Sequence, residues 1–192
     1  MTIKQERLTG KSSVKGTMLQ AHLGWAQRRL GDVGRLKAHV ETECAGHLNT
    51  ATLLTTWVPL RCLINIDRSI ATAVGGSPER VFRELGMHSA TMNLGGVYKS
   101  FVSAEPHRFF TQMGVLHRQF QDFGQSRYAR TADASGRITL EGYPEYSPVY
   151  CASAVGYFEG ALKMMQAPGP IAVRETACQC AGDAQCLFEL SW

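Results

Sequence analysis

Several things that this 192-residue sequence lacks narrow what it does. No stretch approaches the roughly 18 uninterrupted apolar residues of a membrane-crossing helix. The most apolar one, Ala51 to Val74, is broken by Arg61, Asp67 and Arg68. There is no block of like charge either: 20 Lys and Arg stand against 16 Asp and Glu, scattered along the chain, so nucleic-acid binding is not indicated. The opening MTIKQERLTGKSSVK has neither the apolar centre nor the small-residue cleavage site of a signal peptide. Internal repeats, low-complexity tracts, a nicotinamide fingerprint and any nucleophile or acid–base constellation are also missing. What remains is a cytoplasmic chain with one globular domain, no membrane span and no nucleic-acid partner. In a reducing compartment its six cysteines are expected to be free thiols or metal ligands rather than disulfides.

Apolar spacing and turn residues divide the chain. Residues 1–12 read as a polar leader and 13–192 as a single domain. Ser13 to Gln20 is a short opening strand, and Leu23, Ala26 and Leu30 give the next ten residues a helical stripe that Gly31 closes. Leu36 to Gly46 and Ala51 to Val74 both read as helices, the second bent or begun at Pro59 and stopped by Gly75-Gly76. Ser77-Pro78-Glu79 combines a capping hydroxyl, a proline at the first helical position and a first-turn acid, predicting a helix to about Ser103, with Gly86 and Gly95 as places of interruption. Another helix starts at Glu105-Pro106, and its stripe of Phe109, Phe110, Met113, Leu116 and Phe120 ends near Gly124. The period then changes to two over 127–131 and 137–141, predicting a hairpin. A helix over about 148–166 follows, Pro168-Gly169-Pro170 ends it, and two strand-like runs, Ile171 to Thr176 and Cys186 to Trp192, complete the chain. This order predicts an α+β fold: an antiparallel sheet of about four or five strands packed against several long helices.

Glu175, Cys178, Cys180 and Cys186 fall within twelve residues, with Gly182-Asp183 between them to turn the chain. Cysteines at the facing ends of a hairpin suit a tetrahedral zinc site. Glu175 and Cys178 aim at one point only if the chain bends at Thr176-Ala177, and Cys151 is the best remaining ligand among Cys44, Cys62 and Cys151. Cys180 is the alternative to Glu175, and Arg174 would offset the excess negative charge. With four protein ligands such a site is structural. Small buried thiols or a redox switch are the competing readings.

Other motifs carry less. Leu8-Thr-Gly10-Lys11-Ser12 ends like a phosphate-binding loop, but Gln5 stands where its first glycine belongs. His39, Glu43 and His47 at spacing four read as a solvated polar face. His107, Phe110, His117, Phe120, Tyr128 and Tyr157 are candidates for a pocket suited to a flat aromatic ligand, with core packing as the alternative for each. Ala152, Gly156 and Gly160 recur every four residues and would let their helix approach the sheet or a second copy closely.

The run from Cys151 through Gly156-Tyr157 and Gly160, followed by Glu175-Thr-Ala-Cys178 and Gly182-Asp183-Ala-Gln-Cys186-Leu-Phe188, resembles the 4-vinyl reductase domain. The likeness is strong over about the last quarter of the chain, residues 148–192. In phenol- and toluene-responsive activators that contain this domain the matching pattern binds zinc, which carries over to Cys151, Glu175, Cys178 and Cys186. The resemblance implies the fold shared by nitric-oxide-signalling ligand domains and Golgi-transport subunits, with a hydrophobic cavity between sheet and helices, and homodimers are common in it. Val14 to Met18 and Trp57 to Leu60 also resemble a stand-alone bacterial family of this fold. The expectation is a zinc-stabilised sensory domain for a small hydrophobic or aromatic molecule. With no ATPase or DNA-binding segment after Cys186, its output is expected to pass through a protein partner. The alternatives are an enzyme or carrier for a tetrapyrrole-like pigment and a ligand-free scaffold.

Overall fold

Alternating apolar residues give β4 (Ser135–Glu141) and β6 (Cys186–Ser191) one face for a core and one for water. Ile138, Leu140, Phe188 and Leu190 turn inward and are buried, while Arg137 and Glu189, opposite each other in the register, pair on the outer face at 2.6 Å. With β3 (Gln125–Ala132) and β5 (Ala172–Ala177) at the edges, the strands form an antiparallel sheet in the order β3-β4-β6-β5. The computed structural model describes residues 5–48 and 54–192. The expected α+β class, sheet type and both strand pairs are present, and no helix among the described residues is long and apolar enough to cross a membrane.

Helix α6 (Pro148–Met164) packs against β5 and β6. Ser147 starts it by accepting from the Val149 N–H, with Pro148 at the first position. Against α6 runs α3 (Pro78–Gly95), and the two come so close that only glycine fits. A Cβ on Gly156 would lie 1.9 Å from the Arg83 carbonyl oxygen, and one on Gly86 1.8 Å from that of Ser153. Arg83 reaches across with both guanidinium arms to the carboxylate of Glu159, which is buried. The repeat of Ala152, Gly156 and Gly160 thus serves contact with a neighbouring helix rather than with the sheet. Helices α1 (Gly16–Leu30) and α2 (Leu60–Val74) also pack on α3, and a buried His22–Asp67 pair at 2.7 Å joins the first two.

Local chemistry explains where the elements differ from the pattern. The opening strand is only β1 (Ser13–Lys15), paired with β2 (Trp57–Pro59), because Gly16 already begins α1. In place of a helix over 36–46 there are two short 3-10 turns, Val33–Ala38 and Ala45–Leu48. The Asp32 carboxylate takes the Gly34 N–H to start the first, and a Cys44–Cys62 disulfide fastens the chain between the turns to α2. Two of the six cysteines are therefore bonded to each other rather than free. The helix expected from Ala51 starts at Leu60, after Pro59; residues 51–53 lie outside the described residues, and 54–56 form a turn and its exit. The helix from Pro78 stops at Gly95, and the stretch after Glu105 divides into α4 (Pro106–Phe110) and α5 (Met113–Phe120).

The phosphate-loop lookalike is also resolved. Gly10 adopts φ +77°, and the Thr9 and Lys11 N–H groups donate to one oxygen of the buried Glu145 at 2.9 and 2.8 Å. Burial would raise the pKa of that carboxyl, but the hydrogen bonds from Thr9 and Lys11 hold it below the ordinary value. The loop encloses an anion supplied by its own chain.

Replacing Gly156 with Ala should cost about 3 kcal/mol in chemical denaturation, because backbone must yield to the new methyl. Gly24→Ala, at a helical position with open space around it, should instead stabilise by about 0.5–1 kcal/mol.

Candidate functional site

Four metal-ligating side chains meet where α6 begins and β5 turns into β6. The sulfurs of Cys151, Cys178 and Cys186 and a carboxylate oxygen of Glu175 all lie within 4.8 Å of one another. Cys151 is 3.6 Å from Cys178 and 4.0 Å from Cys186, sulfur to sulfur. The spacing of three between Glu175 and Cys178 would place them on opposite faces of a regular strand. A β-bulge between Glu175 and Ala177 inserts one residue and turns both inward. Arg174, on the exposed face, does not share the site. Past Cys178 a short 3-10 turn ends at Gly182 in the left-handed region, φ +99°. Asp183 closes the loop by accepting from the Cys178 N–H at 2.7 Å, and the Gln179 N–H points to the Cys186 sulfur at 3.3 Å.

Protons in this cluster are shared. Hydrogen bonds from Cys151, and then from Cys180 and Cys186, favour the thiolate of Cys178, while the bond to Cys178 holds Cys151 protonated. The bond with Cys151 pulls downward on both Cys180 and Cys186, but the Cys178 thiolate and burial outweigh it and push them up to about 12 and about 11. Cys180 is fully buried beside the others, yet its sulfur falls outside the set that gathers with Glu175.

A second feature lies farther along α6. An apolar cavity of about 60 Å³ is walled by α1, α3, α5, α6 and the sheet, with Phe120, Leu140, Ala154 and Phe158 among its lining. Two hydroxyls on its wall, Tyr157 Oη and Ser126 Oγ, are buried without a hydrogen-bond partner among the described residues. Burial raises the Tyr157 pKa, so its phenol stays neutral. His117, also on the wall, donates from Nε2 to the Phe123 carbonyl at 2.8 Å and accepts at Nδ1 from Gln121 at 2.9 Å. The other end of Gln121 accepts from the Tyr150 hydroxyl at 2.6 Å, next to Cys151.

Of the six residues proposed from sequence for a pocket, His117, Phe120 and Tyr157 line this cavity. His107, Phe110 and Tyr128 do not. They form an aromatic group with Trp192, in which Phe110 stacks on Tyr128 at 5.4 Å and the His107 ring nitrogens meet the Tyr128 hydroxyl and the Asp133 carbonyl. Strand β3 carries Tyr128 away from the cavity, while its Ser126, two residues earlier, lines it. Ser126, Gln121 and Ala154 gave no chemical signal in the sequence.

No family model and no curated protein matches the chain. Solved structures do. An unliganded Fe(II) H-NOX mutant from K. algicida aligns with a TM-score of 0.69 at 9% identity, covering 92% of this chain and 95% of that one. An H-NOX protein from S. oneidensis in the Fe(II)NO ligation state gives 0.68 at 12% identity, over 92% and 98%. A point mutant of T. Tengcongensis H-NOX gives 0.69 at 13%, over 92% and 96%. At these identities the likeness shows the fold, which is that of ligand domains in nitric-oxide signalling. These structures do not support the narrower 4-vinyl reductase label. The structural zinc expected as cofactor is not upheld either: matching structures are described in terms of heme and its distortion, and a gathering of cysteines does not establish zinc.

Burial holds the His117 pKa below its ordinary value, against hydrogen bonds to the carbonyls of Phe123 and Gly124 that raise it. Desolvation, then Arg28 and His22, push His88 down to about 4. Both imidazoles are thus neutral in the fold where the unfolded chain would already be protonated. Stability is fully present above about pH 6.5 and is lost as pH falls below it, for His88 down to about pH 4. Denaturation midpoints measured from pH 7.5 to 4.5 should decline, and His88→Gln should flatten that decline.

Proposed function

We propose that this domain is a sensor for a small hydrophobic or aromatic molecule, held in the cavity between α5, α6 and the sheet and reported through α6 to a partner chain. The observation that carries this reading is the pair of buried, unpartnered hydroxyls, Tyr157 Oη and Ser126 Oγ, on an otherwise largely apolar wall. A buried hydroxyl without a partner costs about 1–3 kcal/mol, which a bound molecule with a hydrogen-bonding group would recover.

In the same reading Cys151, Glu175, Cys178 and Cys186 hold a thiophilic metal ion. Sulfurs around a tetrahedral ion with bonds of about 2.3 Å stand about 3.8 Å apart, and the two measured separations fall on either side of that value. The ion would take the place of the cluster's protons and balance the charge of its thiolates. It would tie the β5–β6 loop to the first turn of α6. Helix α6 then links both features, with Cys151 in its first turn and Tyr157 on the cavity wall. Output goes to a partner, with a second copy of this chain as the first to test.

Elemental analysis of the purified protein should find about one metal ion per chain. Cys178→Ala should lose it and lower the thermal midpoint by about 10 °C, the scale of a ligand worth about 4 kcal/mol. Native mass spectrometry should find a small molecule copurifying, and Ala154→Leu, which fills the cavity, should exclude it. A wild-type chain that is folded and metal-free refutes the metal site. Unchanged spectra for Ala154→Leu refute the cavity.

A further inference from the structure

The fold matches proteins described in terms of heme, but the cavity lined by Tyr157 and Ser126 does not fit one. A heme needs an axial ligand for iron, room for four pyrrole rings, and cations for its two carboxylates. Among the described residues His117 is the one imidazole on the cavity wall, and both its nitrogens are occupied, Nε2 by the Phe123 carbonyl and Nδ1 by Gln121. No described Lys or Arg lines the cavity. Its volume of about 60 Å³ is far below the roughly 300–1,000 Å³ of clefts for large organic ligands. Aromatic side chains take up the space: Phe120 meets Tyr157 edge-on at 6.0 Å, and Phe158 meets Phe188 at 5.3 Å.

The same walls define what does fit. A cavity of about 150 Å³ admits benzene, so one ring enters here only if a wall yields. Met18 and Met113, unbranched and with several rotatable bonds, are the parts of the lining best able to move. The polar groups with unmet capacity are neutral hydroxyls, so a charged ligand would lose its hydration with nothing to replace it. We infer that the cavity takes an uncharged molecule of at most one ring, anchored by a single hydrogen-bonding group at Tyr157 and Ser126, and does not take a macrocycle. This rests on the sensory reading above and narrows its ligand.

The test compares hemin, phenol and toluene on the full chain. Hemin should produce no saturable change in its Soret band. Phenol and toluene should both raise the thermal midpoint, with phenol about tenfold tighter, the worth of one hydrogen bond. Tyr157→Phe combined with Ser126→Ala should remove that tenfold preference while leaving toluene binding in place, which a merely structural role for the hydroxyls would not do. Stoichiometric hemin binding that is lost in His117→Ala overturns the inference but leaves a sensory domain. Equal affinity for phenol and toluene in the wild type overturns the anchoring. Binding of none of the three overturns both the inference and the sensory reading.

Discussion

The contact between α3 and α6 governs the rest of the molecule. At Gly86 and Gly156 the two backbones touch without side chains between them, and the Arg83–Glu159 pair fixes their register. Such a contact leaves little freedom to slide, since backbone cannot rearrange as a rotamer can. Helix α6 therefore has one settled position against α3, and the sheet, the cysteine cluster and the cavity are all placed relative to it. The cavity borders this contact, with Ser89 of α3 and Ser153 of α6 both in its lining.

Both polar features of the domain converge on the start of α6. Tyr150 reaches Gln121, Gln121 reaches His117, and Cys151 stands next in the chain among the three other donors. An event at the cavity wall and an event at the sulfurs thus meet within two adjacent residues. The separation of roles is chemical: a soft, charge-demanding cluster at the helix end, and a neutral, largely apolar space one to two turns farther on.

Much of the fold was legible because period and punctuation agreed. The proline starts at Pro78, Pro106 and Pro148 each open a helix, and the alternation over 137–141 sits on a strand with the apolar residues inward. The cysteine cluster was legible as a set because its members are chemically distinctive, and the bend needed at Thr176-Ala177 exists as a bulge. What failed was decided by tertiary contact. The stretch over 36–46 has helical spacing, but Asp32 and the Cys44–Cys62 bond hold it in turns. His107, Phe110 and Tyr128 have the chemistry of a ligand pocket, yet Trp192, the last residue of the chain, completes them as a closed aromatic group. The cavity is made instead by an absence of bulk at Ala154 and Ser126, and spacing does not report absence.

The bulge in β5 has a meaning beyond the side chains it aims. β5 is an edge of the sheet, and an exposed edge is a template on which another extended chain can add itself. One extra residue breaks the even ladder of donors and acceptors near the C-terminal end of that six-residue strand. The same irregularity that gathers the donors on the inside makes the outside a poorer match for a foreign strand.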